Sequence, residues 1–215
     1  MSVWAVVVAA GSGRRFGGLK QYELLGSRMV VDWAVAAART VADGVVLVVP
    51  PGQLRAGNEP VDALVAGGDT RSASVRAGLV AVPEDAEIVV VHDAARPLAS
   101  PALFAAVTAA VRGGADGAVP GVALPDTVKR VREGSVVATV DRAELVAVQT
   151  PQAFLASALR RAHATGGEAT DDAALVEALG GRVTVVAGEP GNVKLTALED
   201  LADAEHRVLS GRVRQ

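Results

Sequence analysis

The stretch that decides the fold is Val3-Trp4-Ala5-Val6-Val7-Val8-Ala9-Ala10-Gly11-Ser12-Gly13-Arg14-Arg15-Phe16-Gly17-Gly18-Leu19-Lys20. It begins with an apolar run containing three consecutive valines, which predicts a buried strand. The strand leads into a glycine-rich loop, where missing Cβ atoms let backbone N–H groups approach a ligand closely. Two arginines and a lysine lie within reach of the same loop. The stretch therefore predicts a phosphate-binding site; the alternative is an ordinary strand-to-helix turn with surface cations.

The two most common phosphate-binding motifs do not fit this loop. A dinucleotide fingerprint requires G-x-G-x-x-G, but Phe16 stands where the third glycine belongs. The acid that would bind a ribose, Asp32, lies inside a predicted helix instead of at the end of the second strand. A P-loop requires Gly-Lys-Ser/Thr, whereas Lys20 lies between Leu19 and Gln21. The remaining interpretation is a nucleoside triphosphate site, where several cations neutralise a leaving pyrophosphate.

Composition favours an α/β fold and excludes several classes of protein. Half of the 215 residues are apolar and only 3% are aromatic, so valine strands must pack against alanine-rich helices. The net charge of −3 predicts neither a nucleic-acid nor a membrane partner. The absence of cysteine excludes disulfides and thiolate metal sites. The apolar run near the start is too short to span a bilayer, and we expect one domain located in the cytoplasm.

Strand and helix patterns alternate along most of the chain, which predicts right-handed parallel crossovers. The predicted strands after the first are 44–49, 63–66, 87–91 and 183–186, with further extended segments beginning at 117–120 and over 145–152. The predicted helices are 29–40, one opening near residue 72, 101–112, 153–163 and 197–209. Residues 126–142 break this rhythm, because polar and apolar residues alternate on both sides of a Glu-Gly-Ser turn. They predict a charged hairpin, either a solvated flap, which the charge favours, or an arm that reaches a partner subunit.

Polar residues at two other turns are candidates for a site. Asp69 or Thr70 caps a helix after two glycines, or Asp69 lines a ligand pocket with Gly68 and Ser74. Asp93 follows a buried strand, at the end of the sheet where ligands bind in open parallel sheets.

A carboxylate at position 93 can hold Mg²⁺ or a ribose hydroxyl, and Arg96 can bind a second phosphate; the alternative is an Asp93–Arg96 pair that shapes the turn. We expect His92 to be a hydrogen-bonded core residue, and His163 and His206 to occupy polar helix positions. Thr170-Asp171-Asp172 is typical of a helix N-cap with acids in the first turn.

A series of short motifs runs in order through the chain: Ala9-Ala10-Gly11-Ser12-Gly13-Arg14-Arg15 followed by Lys20, Gly67-Gly68-Asp69, His92-Asp93-Ala94-Ala95-Arg96-Pro97, Asp126-Thr127-Val128-Lys129, Asp141-Arg142, Thr150-Pro151-Gln152, Thr170-Asp171-Asp172 and Asn192-Val193-Lys194. Each motif is weak by itself. Together, from about Val3 to about Leu209, they resemble the 2-C-methyl-D-erythritol 4-phosphate cytidylyltransferase family.

The resemblance implies transfer of CMP from CTP to 2-C-methyl-D-erythritol 4-phosphate in the non-mevalonate route to isoprenoids. The products would be 4-diphosphocytidyl-2-C-methyl-D-erythritol and pyrophosphate, formed by Mg²⁺-assisted in-line attack on the α-phosphate. It also implies a single nucleotidyltransferase domain over 1–215, with a Rossmann-like, mostly parallel central sheet and helices on both faces. A protruding β-hairpin arm at about 122–144 would form a homodimer and complete the neighbour's site, which reverses the flap interpretation.

The resemblance also implies roles for individual residues. The catalytic cations would be Arg15, Lys20, Arg142 and Lys194, with Lys194 coming from the last strand. The nucleotide would bind to Ala9, Ala10, Gly11, Gly13, Gly68, Asp69, Ser74 and Asp93. The polyol phosphate would bind to Asp93, Ala94, Arg96, Thr127, Arg142, Thr150 and Lys194. Mg²⁺ would be held by Asp93 or otherwise by the triphosphate, and no histidine is needed because the attacking phosphate oxygen is already ionised.

The chain departs from the family pattern in the first loop. Segment 16–19 is shorter than usual, and Leu19 replaces a common proline before the lysine. Two alternatives stay open at this point. One is a cytidylyltransferase for another polyol phosphate, such as ribitol 5-phosphate, and the other is a nucleotide-binding module without catalysis.

Overall fold

A central sheet with valine-rich strands forms the frame of the protein. The computed structural model describes residues 1–13, 16–53 and 57–210 of the chain. The strands are β1 (Val3–Val8), β2 (Leu24–Leu25), β3 (Arg28–Met29), β4 (Gly44–Val49), β5 (Ala63–Ala66), β6 (Ile88–Asp93), β7 (Gly117–Ala123), β8 (Val128–Arg132), β9 (Ser135–Val140), β10 (Val146–Val148), β11 (Gln152–Leu155) and β12 (Val183–Ala187). The helices are α1 (Val30–Arg39), α2 (Arg71–Ala81), α3 (Pro101–Arg112), α4 (Ala156–Ala164), α5 (Asp172–Ala178) and α6 (Leu198–Leu209).

The central sheet has the strand order β5-β4-β1-β6-β11-β7, and both β10 and β12 pair with β7. The four strands from β5 to β6 are parallel to one another, and β12 is parallel to β7. Strands β10 and β11 are antiparallel to their neighbours. The predicted mostly parallel, Rossmann-like sheet is therefore confirmed. Because these strands are parallel, the loops that follow β1, β4, β5 and β6 all lie at the same edge of the sheet.

Helices cover both faces of the sheet, as predicted. Helices α1 and α3 pack on one face, where the core includes Val31 and Phe104. Helices α2, α4 and α5 pack on the other, where it includes Val75, Leu159 and Val176. All six residues of β4 are buried, which is the pattern of a strand covered on both sides. Among the described residues, no helix combines the length and the apolar character needed to cross a bilayer.

Three predictions are wrong in detail. The helix predicted for 153–163 begins only at Ala156, because the preceding residues form the antiparallel strand β11, in which Phe154 is fully buried and pairs with Val89. Lys194 was expected on the last strand, but β12 ends at Ala187 and Lys194 lies in the irregular segment that follows. His163, expected on a polar helix position, is buried with 3% exposure.

The predicted hairpin protrudes from the sheet. Strands β8 and β9 form a separate two-stranded sheet, and their side chains are largely exposed. Its turn uses positive φ angles at Glu133 and Gly134. The exposed residues include Val131, Val136 and Val137, each more than half exposed. We call residues 122–144 the arm.

Candidate functional site

A cavity of about 620 Å³ opens beside the ends of β1, β5 and β6. This volume is typical of small-molecule sites. The predicted site residues that line it are Ala9, Ala10, Gly11, Gly13, Lys20, Gly68, Asp69, Ser74, Asp93, Ala94 and Lys194. Arg15, predicted to be catalytic, lies outside the described residues. The structure therefore brings together the predicted nucleotide-binding residues and two of the predicted catalytic cations.

Two glycines are required where the loops of this cavity meet. Gly13 has a φ of +62°, and a Cβ there would lie 1.7 Å from the carbonyl oxygen of Gly18. A Cβ on Gly67 would lie 2.4 Å from the Cβ of Ala10. The first glycine loop and the glycine turn after β5 therefore touch each other and form one continuous wall of the cavity.

The glycine turn after β5 is held by side chains at the start of α2. The Ser74 hydroxyl accepts the N–H of Gly68 at 3.2 Å and donates to the Thr70 carbonyl at 2.9 Å. Thr70 caps α2 by accepting the N–H of Ala73. Asp69 is exposed and lines the cavity. Of the two residues that the sequence offered as caps, Thr70 is the cap, while Asp69 faces the site.

The first loop brings Lys20 to the cavity. The Gly13 carbonyl accepts the amides of both Phe16 and Gly17 at 2.9 Å, which closes the loop tightly. Phe16 is buried, and a short 3-10 turn, Lys20–Tyr22, follows. The Lys20 ammonium donates to the Leu195 carbonyl at 2.5 Å. Lys20 therefore lies at the cavity, as the resemblance implied.

Asp93 lies at the end of β6 and binds two cations. Its Oδ1 accepts from Arg71 Nε at 3.0 Å, and its Oδ2 accepts from Lys194 Nζ at 2.6 Å. Burial by itself raises the pKa of the Asp93 carboxyl, but Arg71 and Lys194 outweigh it and hold that pKa well below its usual range. The turn-shaping Asp93–Arg96 pair considered from the sequence does not form, since Arg96 donates to the Asn192 carbonyl at 2.7 Å.

Arg71 is a cavity residue that the sequence analysis missed. It opens α2, lines the cavity and joins Asp93 to the buried carboxylate of Asp172, whose Oδ2 lies 2.8 Å from Arg71 Nη1. Its two acid partners lie 22 and 101 residues away along the chain. Local spacing therefore gave no sign that this arginine would be enclosed by carboxylates.

The backbone of Asp93 rests on a buried chain of hydrogen bonds. Its N–H donates to Thr150 Oγ1 at 3.1 Å, and the Thr150 hydroxyl lies 3.1 Å from His92 Nδ1. His92 Nε2 lies 3.1 Å from the Arg96 carbonyl and can only donate to it, so the neutral Nε2–H tautomer satisfies every group. Burial lowers the pKa of His92 to about 4. The expectation of a hydrogen-bonded core histidine is confirmed, and Thr150 lies beneath the cavity.

The burial of His92 leads to a pH prediction for stability. Its folded pKa of about 4 lies below the ordinary 6.5, so the unfolded chain binds the additional proton between these values. The free energy of unfolding should therefore fall as the pH drops from about 6.5 to about 4, by up to a few kcal/mol from this residue. The free energy of unfolding can be measured by denaturant unfolding at several pH values in this range. It should depend less steeply on pH in His92→Gln than in the unchanged chain.

His206→Gln is the matched control, because His206 is exposed on α6. In this variant the free energy of unfolding should depend on pH as steeply as in the unchanged chain. If the free energy of unfolding depends on pH equally in the unchanged chain and in His92→Gln, protonation of His92 does not affect stability.

The remaining predicted acceptor residues, all described, lie outside the lining of this cavity. Thr127 and Arg142 belong to the exposed arm, and Arg142 donates to the Pro125 carbonyl. Arg96 is half-buried behind Asp93, bound to Asn192. One chain therefore assembles the nucleotide half of the predicted site, and the roles of these residues toward an acceptor stay predictions.

The residues that line the cavity are compatible with a metal ion that is bound mainly by phosphate oxygens of a ligand. Among residues 1–13, 16–53 and 57–210, no group of three or more His, Cys, Asp or Glu is arranged to hold a metal. Asp69 and Asp93 line the cavity, and each Asp93 oxygen already accepts from a cation. Mg²⁺ usually binds through one or two carboxylates together with substrate phosphates. A triphosphate would thus supply most of the ligands.

Comparison with known proteins identifies the family. Residues 3–210 match the family model of 2-C-methyl-D-erythritol 4-phosphate cytidylyltransferase. The chain belongs to this family. A protein of that name from Rhodococcus opacus (strain B4) is 44% identical over 218 residues, covering 97% of this chain and 96% of the relative.

Other relatives of this cytidylyltransferase family are longer. The bifunctional enzyme IspD/IspF of Nitratidesulfovibrio vulgaris (strain DP4) is 45% identical over 228 residues, covering 94% of this chain but 57% of the relative. The chain spans a little over half the length of several such bifunctional relatives, 53 to 57%.

Solved structures of the family share the fold. The 2-C-methyl-D-erythritol 4-phosphate cytidylyltransferase of Thermus thermophilus has a TM-score of 0.81 and 38% identity, covering 96% of this chain and 98% of that one. The 4-diphosphocytidyl-2C-methyl-D-erythritol synthase of Anaerococcus prevotii has a TM-score of 0.83 and 28% identity, covering 97% and 98%.

Proposed function

We propose that this protein transfers CMP from CTP to 2-C-methyl-D-erythritol 4-phosphate, releasing pyrophosphate and forming 4-diphosphocytidyl-2-C-methyl-D-erythritol. The observation that carries the proposal is the cavity lined by two touching glycine turns together with Lys20, Lys194 and Asp93. Family membership supports the choice of substrates. We also propose that the reaction takes place in the cytoplasm.

The cavity suggests how CTP would lie. The cytidine would lie against the wall formed by Ala9 to Gly11, Gly68 and Asp69. The triphosphate would extend toward Lys20 and Lys194, where two ammonium groups line the cavity. Backbone N–H groups and fixed cations bind phosphate without reorganising during the reaction, and they therefore stabilise charge as it develops.

The chemistry requires positioning and charge more than proton transfer. A phosphate oxygen of the acceptor attacks the α-phosphorus, and the bond from that phosphorus to the bridging oxygen of pyrophosphate breaks, its electron pair leaving with pyrophosphate. The attacking oxygen is already ionised, so no side chain has to remove a proton. Lys20 would stabilise the charge that grows around the α-phosphate, and Arg15 is proposed to join it. Lys194 lines the same cavity, where its ammonium donates to Asp93.

We propose Mg²⁺ as the metal of this site. It would be held by the triphosphate, with Asp93 as the proposed protein ligand, and it would neutralise phosphate charge and orient the leaving pyrophosphate.

The acceptor half of the site is proposed to form between two copies of the chain. Thr127 and Arg142 lie on the exposed arm, outside the cavity of their own chain. The arm carries apolar side chains that are more than half exposed, including Val131 and Val136, and such patches commonly mark interaction sites. We propose a homodimer in which the arm of each chain brings Arg142 to the polyol phosphate at the neighbour's cavity. Arg96 and Thr150 would support the acceptor from behind Asp93.

The test of the proposed function is pyrophosphate release with two acceptors. We expect release from CTP and Mg²⁺ with 2-C-methyl-D-erythritol 4-phosphate, little release with ribitol 5-phosphate, and none without an acceptor or with a chelator. Faster turnover of ribitol 5-phosphate would assign the protein to a sister activity. Binding of CTP in calorimetry with no turnover of either acceptor would support a nucleotide-binding module and would refute the proposed transfer.

A further inference from the structure

A continuous series of ion pairs and one histidine contact leads from the cavity into the protein interior. It begins with Lys194 on Asp93, continues from Asp93 to Arg71 and from Arg71 to Asp172, and ends where Asp172 Oδ1 lies 2.9 Å from His163 Nε2. The distances along the series lie between 2.6 and 3.0 Å. The series joins the end of β6 to the first turns of α2 and α5 and to α4.

The inner members of the series are buried and do not contact the cavity. Asp172 has 0% exposure and His163 has 3%, and neither lines the cavity. Burying a carboxylate and a guanidinium is costly, and replacing such a pair with apolar side chains is often neutral or stabilising. Fold stability alone therefore gives little reason for Asp172 to pair with Arg71 beneath a ligand site.

The position of Arg71 in α2 points the same way. Arg71 is the first residue of the helix, where the helix dipole disfavours a cation. An acid would be the favourable choice for the helix at this position. The arginine is instead compensated by Asp93 on one side and Asp172 on the other.

The geometry shows what Asp172 adds. Arg71 uses Nε for Asp93 and Nη1 for Asp172, so its planar group is held at two separate positions, while its buried Nη2 has no hydrogen-bond partner among the described residues. With Arg71 held this way, one oxygen of Asp93 faces Arg71 and the other receives Lys194. Without Asp172, Arg71 would be free to bind both oxygens of Asp93 in a bidentate pair and to compete with Lys194.

We propose that Asp172 is a positioning residue of the cytidylyl transfer site, which acts through Arg71 to orient Asp93 and thereby to place the Lys194 ammonium. His163 holds the second oxygen of Asp172 and is part of the same support. This inference rests on the proposed function, because placing Lys194 matters only if a phosphate is bound there.

Asp172→Asn tests the proposal, because it keeps the size of the side chain and removes its charge. We expect kcat to fall about 10- to 100-fold, the range typical of losing a residue that orients a direct ligand, with a smaller change in KM for CTP. Asp171→Asn is the matched control. Asp171 caps α5 through Oδ1, and its Oδ2 accepts from Gln152 Nε2 at 3.0 Å. Asparagine keeps the cap, and its Nδ2 can donate to the otherwise unpartnered Gln152 Oε1 after a flip of the Gln152 amide. This neighbouring variant should keep kcat.

A spectroscopic readout separates orientation from general damage. The Arg71 Nε–H resonance should be protected from exchange in the unchanged chain and in Asp171→Asn, and shifted and exposed to exchange in Asp172→Asn. A second test compares kcat of Arg71→Met with kcat of Arg71→Met/Asp172→Asn, in which both buried charged groups are removed. If Asp172 acts only through Arg71, the added change should not lower the residual kcat further.

The outcomes are distinct. An unchanged Arg71 Nε–H signal with unchanged kcat in Asp172→Asn would overturn the proposal, and so would equal losses in Asp171→Asn. If Asp172→Asn does not fold, a further loss of kcat in the double variant would overturn it. If the unchanged chain does not turn over CTP and the acceptor, the proposed function fails, while the Arg71 signal still reports whether Asp172 holds this arginine.

Discussion

Replacement of Lys20 by alanine is expected to lower kcat by about 10²- to 10³-fold, as does the loss of one preorganised charge-stabilising donor in comparable sites. The effect on KM for CTP should be smaller, because the charge on the α-phosphate grows mainly on the way to the transition state. Single-turnover measurement of CMP transfer at saturating CTP and Mg²⁺ would give the chemical step directly.

The structural reason for this large effect is how firmly Lys20 is held. Its ammonium is bound by the Leu195 carbonyl, and Leu195 is itself fully buried with its N–H bound to the Ala95 carbonyl at 2.7 Å. A cation fixed in this way does not have to be ordered during the reaction. Lys20→Arg keeps the charge and should retain more activity than Lys20→Ala.

Arg112→Ala is the control for losing a cation elsewhere. Arg112 ends α3, is exposed and donates weakly, at 3.4 Å, to the Met1 carbonyl. It should keep the kcat of the unchanged chain. A kcat for Lys20→Ala within about twofold of this control would remove Lys20 from the proposed mechanism.

Mixing two inactive variants is expected to restore activity if the arm completes the neighbour's site. Arg142→Ala and Lys20→Ala should each lose most turnover. In a randomly exchanged equimolar mixture, half of the dimers contain both variants, and one of their two sites has both residues intact, so about one site in four should recover. Pyrophosphate release before and after subunit exchange would measure this.

A second mixture provides the control for complementation. Lys20 and Lys194 both line the cavity of the same chain, so Lys20→Ala mixed with Lys194→Ala leaves every site with one change. This mixture should recover no activity. If exchange is demonstrated with differently tagged chains, absence of recovery in the first mixture, or equal recovery in both, would contradict a shared site.

Much of the fold follows from short-range patterns. The valine run of β4 and the alternation of strands with helices predicted a mostly parallel sheet, and the structure confirms it. Strand β11 was mistaken for the start of a helix, since Ala153 and Phe154 have no local pattern that distinguishes the two. The strand forms because these residues pair with β6, which lies far earlier along the chain.

The candidate site divides in the same way. The resemblance to the family implied that both glycine turns and Lys20 belong to one site, and in the structure they line one cavity beside the ends of parallel strands. Arg71 and His163 were missed, since a helix start with an arginine and a helix with a histidine are common on protein surfaces. Only their burial beside Asp172 distinguishes them.

The sequence by itself predicted most of the alternation of strands and helices and the positions of the two glycine turns. These properties depend on backbone conformations and apolar spacing within a few residues, and such physics is local. The tertiary structure alone decided which charges meet: Lys194 and Arg71 on Asp93, and Asp172 behind them. Desolvation and ion pairing depend on which distant segments are packed together, and no short stretch of sequence contains that information.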